Sequence, residues 1–239
     1  LDIQYLIDDI TPILNSASVY LIREEIVQKL FPNFNNLCKY RIIFTENFDN
    51  DGLSIPYLQV QDSQNQTHKI KISLNDYLTM TAATNIKHRT RMSRLYYHAE
   101  KNNFLVCGTT NKAEFQQGYF VKYGDGGVDI EPLVNLFKTQ VYQLAESLNI
   151  PSEIIRRKAS PDTWSFQVSD EEFFFSLTYD IIDLMLYAQE KSIPLNDICS
   201  TLEFDEDKVK RILKSQERKW NSSKSSRTFP PSFDMKDIS

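Results

Sequence analysis

The sequence predicts an α/β fold built on a parallel sheet, and three observations carry that prediction. FLVCGT (104–109) is a short continuous apolar run ending in glycine, which suits a buried parallel strand. VDIEPL (128–133) gives a second strand pattern across a glycine-rich loop. FKTQVYQLAESLN (137–149) then reads as an amphipathic helix. Strands and helices in this alternation build parallel sheets, and such sheets bind ligands at the carboxyl ends of their strands. FLVCGT delivers the chain to that edge, where the glycine-rich loop begins.

The remaining elements follow in chain order. YLIDDITPIL (5–14) reads as the end of a strand and a turn, with Pro12 stopping it. SASVYLIREEIVQKLF (16–31) places apolar residues at helical spacing behind a serine, so a helix is expected. YLQVQD and HKIKISL alternate apolar and polar residues around SQNQ, which predicts a hairpin. A long helical pattern runs from about Asn75 to Asn102. Pro151 marks the end of the 137–149 helix, and RRKASPDTWSFQ (156–167) is a loop. Ser169 and Glu172 form an S-x-x-E capping pattern. Helical segments near 176–191, 194–202 and 205–219 precede a Ser- and Pro-rich tail read as loop. No internal repeat is visible.

Composition narrows the function. The chain has 239 residues, 41% hydrophobic and 25% charged, enough for a core and one or two domains. No apolar run approaches the ~18 residues of a membrane span, and no signal peptide opens the chain. The first residue is not Met, so Leu1 is read as an internal position of a longer product. A net charge of −5 argues against nonspecific nucleic-acid binding, which needs a basic face. A helix-turn-helix on 194–219 lacks such a face, and the basic residues between Lys208 and Arg227 read as a solvated helix surface and tail. Three widely spaced cysteines without a C-x-x-C pair point to a reducing compartment, with the cytoplasm as the expected location.

The glycines are the sharpest signal. The chain has only six, and five fall between 108 and 127. Glycine is needed where φ is positive or where another group approaches the backbone closely. Around this loop stand Thr109, Thr110, Glu114, Lys122, Asp125, Asp129 and Lys138, with Arg89 on the preceding helix. Lysine suits phosphate as a point charge, arginine offers a fork for phosphate or carboxylate, and a carboxylate beside phosphates is the usual protein ligand of Mg²⁺. Together these residue types point to a phosphate-bearing ligand. Each of them also has a plain reading as a solvated loop residue.

NIKHRTRM (85–92), LVCGTTNKAE (105–114), GYFVKYGDGGVDIEPL (118–133) and LFKTQVYQLA (136–145) closely resemble blocks of the ammonia-dependent NAD synthetases, in the same order and spacing. The resemblance is strong over about 80–180. It implies a Rossmann-like adenine-nucleotide alpha-hydrolase (PP-loop) fold. It also implies a two-step amidation, in which the carboxylate of deamido-NAD attacks the α-phosphate of ATP and ammonia then displaces AMP from the acyl-adenylate. On that resemblance Thr109, Lys138 and Ser160 contact ATP, Arg89, Lys122 and Asp129 contact deamido-NAD, and Glu114 is the Mg²⁺ ligand. No protein nucleophile is required, in keeping with three histidines that form no visible triad. Tyr119 and Phe120 are offered either as stacking partners of the nicotinate ring or as core. Where the family has a basic pair before prolines, this tail offers only Lys224 and Arg227. A homodimer is implied as well.

Two departures matter. The family's S-G-G-x-D-S pyrophosphate loop is absent, so the chain is expected to lack the first two strands and to need a companion segment to complete the sheet. Residues 39–74 are largely missing from shorter family members and read as a hairpin-like insertion. The expected division is an α/β domain over 1–180, carrying that insertion, and a C-terminal helical segment over 181–239. An adenylating ligase acting on another carboxylic acid, or a non-catalytic subunit, are the alternatives.

Overall fold

The structure of the protein, a computed structural model, describes residues 4–44 and 55–231. Its N-terminal part differs from expectation. Residues 4–10 form no strand, and Pro12 opens a helix, α1 (Thr11–Ser16), instead of stopping a strand. Proline is favourable there because its missing N–H falls among the donors a first turn leaves unused. The neighbouring Thr11 amide is met by Asp9 Oδ1 at 2.9 Å. The expected 16–31 helix begins later, as α2 (Val19–Leu30), because Ser18 takes a left-handed conformation at φ 55°.

The hairpin is present, and a third strand joins it. β1 (Lys39–Phe44), β2 (Pro56–Gln61) and β3 (Thr67–Lys71) form an antiparallel sheet in that order, with Ile42 opposite Leu58 and Leu58 opposite Ile70. The stretch connecting β1 and β2 includes residues 45–54 of the expected insertion, which lie outside the described residues. The β2–β3 turn is shaped by Asp62, whose Oδ1 accepts from the amides of Gln64 and Gln66 at 2.9 Å each. One face of the sheet buries Tyr40, Ile42, Leu58 and Val60 against Ile26 and Val27 of α2 and Met80 of the next helix. Full burial of such side chains contributes about 1.5–3 kcal/mol each.

That next helix is α3 (Leu74–Asn102), close to its expected span. Ser73 caps it, accepting from the Asp76 amide at 3.1 Å, and Asp76 in turn pairs with Lys29 at 2.9 Å. Beyond α3 the expected pair of parallel strands is reduced to a single parallel bridge between Cys107 and Ile130. Its bonds run from the Gly108 amide to Ile130 O at 2.7 Å and from the Ile130 amide to Val106 O at 3.2 Å. Phe104 and Leu105 are 70% and 68% exposed and Cys107 is exposed too, so only Val106 and Gly108 of the run are buried. Among the described residues neither segment has a further strand beside it, and a longer ladder needs one.

The rest is helical. α4 (Lys112–Gln117), α5 (Lys138–Ser147), α6 (Ser152–Ile155), α7 (Tyr179–Glu190), α8 (Leu195–Leu202), α9 (Glu206–Ser222) and α10 (Lys224–Arg227) complete the order. The Ser169–Glu172 pair makes both reciprocal capping bonds, at 3.2 and 3.3 Å, but opens a π-helical turn (Glu171–Phe175) instead of an α-helix. The tail begins later than expected, since 221–227 is largely helical. Residues 232–239 of the expected loop lie outside the described residues. α4, α5 and α7 share a core of Ala113, Phe137, Phe175, Tyr179, Ile182 and Leu186. α7, α8 and α9 enclose a second core around Met185, Ile198, Val209 and Ile212. No helix among the described residues is long and apolar enough to cross a membrane.

Candidate functional site

Two groups of polar side chains flank α4. The first is built on its N-terminus and that of α5. Asn111 and Glu114 form a capping box: Asn111 Oδ1 accepts from the Glu114 amide at 3.1 Å, and Glu114 Oε2 accepts from the Asn111 amide at 3.0 Å. The same carboxylate faces Lys138 Nζ at 3.5 Å through Oε1, with both side chains largely buried. Lys138 is the first residue of α5 and lies 5.2 Å from the Tyr179 ring centroid. Burial pushes the Glu114 carboxyl above its usual range, and the Lys138 cation pulls it back.

Deeper in the same group, Asp170 accepts from the Tyr119 hydroxyl at 2.8 Å and the Tyr179 hydroxyl at 3.2 Å. Burial raises the pKa of this carboxyl and of both phenols. Asp183 Oδ2 caps α5 by accepting from the amide and hydroxyl of Thr139 at 2.8 and 2.9 Å, while its buried Oδ1 has no partner. Sequence reasoning missed Asp170, Tyr179 and Asp183. Each stands in an ordinary helical pattern, and only the packing of α4, α5 and α7 brings them beside Lys138.

The second group lines the glycine loop and the end of α3. Arg89 Nε donates to Lys122 O at 3.3 Å, which brings two expected contacts together. Lys122 Nζ donates to Ser225 O at 2.5 Å, so α10 reaches back to this loop. Asp129 is held by Tyr96 and the backbone: Oδ1 accepts from the Tyr96 hydroxyl at 3.0 Å and Oδ2 from the Val106 amide at 2.7 Å. Arg227 Nη1 donates to Phe115 O at 3.2 Å. Arg227, Asp129, Phe115 and Phe120 border a pocket of about 210 Å³, with the two phenyl rings stacked 6.0 Å apart. Phe120 thus lines this pocket, whereas Tyr119 packs at 4.6 Å on Phe174 in the core.

Among the described residues neither Thr109 nor Ser160 is hydrogen-bonded to a side chain of either group. Thr109 is exposed, and it is Thr110 that is buried and hydrogen-bonds the Glu131 carboxylate. Ser160 is exposed on the loop before the π-helical turn, its Oγ accepting from the Asp162 amide at 3.2 Å.

The glycines answer to protein neighbours. Gly118 has φ +69°, and a Cβ there would lie 2.2 Å from Ser223, so α10 can dock only over a bare backbone. At Gly126 a Cβ would meet the Phe120 ring at 2.5 Å. The close approach anticipated from a ligand is made in these two places by side chains of the chain itself.

The chemistry of the donor set bears on a divalent cation. Among the described residues no group of three or more His, Cys, Asp or Glu side chains could hold a metal ion. Glu114 contributes a single carboxylate to the first group, with both oxygens facing protein partners. One carboxylate suffices for Mg²⁺, which takes one or two protein oxygens and fills its other positions with phosphates and water.

The family model described as NAD synthase matches residues 40–225. The NH(3)-dependent NAD(+) synthetase of Rhizobium meliloti (strain 1021) is 38% identical over 210 residues, 88% of this chain and 63% of that relative. The enzyme of the same name from Mesorhizobium japonicum is 36% identical over 219 residues, 92% of this chain and 69% of that relative. Among solved structures, an NMN synthetase from Francisella tularensis superposes with a TM-score of 0.52 at 30% identity, over 65% of this chain and 57% of that one. The chain thus spans 63% to 69% of the length of these two relatives.

Proposed function

This chain belongs to the NAD synthase family, and we propose that it carries the acid-activating and dinucleotide-binding part of an ATP-dependent ligase that converts deamido-NAD and ammonia to NAD. The observation that supports this most directly is the Glu114–Lys138 pair. It sets an anion for a metal and a cation for phosphate side by side, between two helix N-termini. Glu114 would hold Mg²⁺, which would supply charge neutralisation on the triphosphate.

A nicotinate carboxylate oxygen attacks the α-phosphorus of ATP, and the bond to the bridging β-phosphate oxygen breaks, so pyrophosphate leaves with the electron pair. Ammonia then adds to the acyl carbon, AMP leaves with the electrons of the acyl–oxygen bond, and the surplus ammonium proton passes to solvent. Lys138 and Thr109 orient the triphosphate, and Ser160 approaches it from its loop. Lys138 also stabilises the charge that develops on transfer. Arg89, Lys122 and Asp129 bind the dinucleotide across the glycine loop, with Phe120 beside the ring. Asp170, Tyr119 and Tyr179 fix the wall on which Lys138 rests.

The division at about residue 180, a homodimer and a cytoplasmic location belong to the same reading. So does a companion segment that completes the sheet. Tyr5 and Ile7 are 86% and 85% exposed, and with Phe104 and Leu105 they offer apolar edges of the kind a neighbouring strand covers.

The test is product analysis on the full-length protein with deamido-NAD, Mg·ATP and ammonia. NAD, AMP and pyrophosphate are expected in equal amounts. Glu114→Gln should lower kcat about 100-fold or more by impairing adenylation. Lys122→Ala should raise the dinucleotide KM about tenfold with kcat nearly kept. Unchanged kinetics in both variants sink the assignment of the site. The similarity to an NMN synthetase favours one second reading, a ligase of the same chemistry acting on a smaller pyridine acid. Running the assay on the mononucleotide acid separates the two.

A further inference from the structure

The loop that carries Ser160 is attached to the antiparallel sheet. Its base is closed on itself, the Asp170 amide donating to Ala159 O at 3.0 Å. Its outer half lies along β1. The Phe166 amide donates to Tyr40 O at 3.1 Å, and the Tyr40 amide donates to Ser165 Oγ at 3.0 Å. Arg41 Nη1 donates to Gln167 O at 2.6 Å, with its guanidinium 4.4 Å from the Phe166 ring centroid. β1 is an edge strand, and the loop takes up backbone groups that an edge leaves unpaired.

Arg23 completes the attachment from α2. It is 2% exposed, its Nη2 donates to Thr163 O at 3.0 Å, and its guanidinium lies 4.6 Å from the Trp164 ring and 5.2 Å from Tyr40. No carboxylate among the described residues forms an ion pair with it. A buried cation without a counter-ion is costly in a core, so its carbonyl and ring contacts to the loop are what hold it. Arg23 Nε and Trp164 Nε1 are buried without hydrogen-bond partners. A docked arrangement short of two hydrogen bonds is one the loop can leave.

We propose that the β1–β3 sheet is a dock for the Ser160 loop, with Arg23 as its latch, and that Arg23 and Arg41 are positioning residues for acid activation. The sheet, which shorter family members largely lack, thereby acquires a role: it holds the loop where Ser160 can meet the nucleotide phosphates. The proposal rests on the reading of the site as one of adenylation.

The test uses the full-length protein with Trp220→Phe and with every tryptophan outside these 239 residues likewise replaced by Phe, so that Trp164 is the single reporter. Adding Arg23→Met should raise acrylamide quenching of Trp164 severalfold and speed tryptic cleavage after Arg157 and Lys158, with the circular dichroism unchanged. In the otherwise native protein Arg23→Met should lower kcat for AMP release about 10- to 100-fold, with dinucleotide binding kept. Arg41→Gln, on the rim of the dock, gives the same pattern more weakly and serves if Arg23→Met does not fold. Quenching and cleavage at wild-type rates in both variants overturn the dock. A released loop with undiminished kcat overturns the positioning role. If the native protein makes no amide product at all, the adenylation reading fails, and quenching alone then decides whether the loop is docked.

Discussion

Glu114 illustrates how one carboxylate serves two masters. Oε2 ties off the start of α4 while Oε1 faces Lys138, so the carboxylate to which we assign Mg²⁺ is held by two protein contacts. The cost shows in its titration, and Asp170 and Asp183 share it. Burial pushes all three carboxyls above their ordinary range, partly offset by Lys138, by the tyrosine hydroxyls and by Thr139 respectively. The folded protein therefore holds their protons more tightly than the unfolded chain. Each such group contributes stability that is complete below the unfolded carboxylate pKa and lost as pH rises through its folded pKa. Asp183→Asn should remove one of these contributions. Urea denaturation from about pH 4 upward should show wild type losing stability relative to that variant, surface carboxylates cancelling in the comparison. A constant difference across the range contradicts the assignment. At this scale the sequence was informative about residue type and place, since Glu114, Lys138, Arg89 and Lys122 all lie near the glycine loop. It was silent on Asp170, Tyr179 and Asp183, whose patterns are those of any amphipathic helix and whose meaning comes from which helix packs on which.

Among the elements, α3 and the antiparallel sheet were the most legible. α3 is long and periodic, and its serine cap stands where a cap should. Ser73→Ala should cost about 1 kcal/mol, because it removes the acceptor for the Asp76 amide and loosens the Lys29–Asp76 pair. Leu58→Ala, at the centre of the sheet's buried face, should cost about 2–5 kcal/mol. Urea midpoints at constant m-value check both, and equal effects would mean that the sheet is not part of the cooperative core. The third strand, KYRIIF, escaped notice although Tyr40 and Ile42 alternate inward, because its partner lies across residues 45–54 and not across a short turn. FLVCGT and VDIEPL were read as strands of a parallel sheet, and they touch only at one parallel bridge, between Cys107 and Ile130. Their extension into strands depends on neighbours, which is information no local pattern contains. The Ser169–Glu172 box was legible as a start signal, but the run of Phe173, Phe174 and Phe175 after it packs against Tyr119 and Tyr179 in a wider turn.

For the molecule as a whole, the telling contrast is between well-filled helical cores and bare apolar edges at 5–7 and 104–105. Large exposed patches of this sort invite association. The 239-residue chain expressed by itself is expected to self-associate, and Ile7→Lys with Leu105→Lys should suppress this in light scattering. Should the double variant associate as strongly as the parent, those edges are not the contact. Cys107 sits at that same margin, in the parallel bridge itself, while Cys38 is sealed in the sheet core. A thiol so placed turns the chain into its own assembly gauge. The rate at which a maleimide adduct forms at Cys107, read by peptide mass spectrometry, reports how much of that flank has been covered.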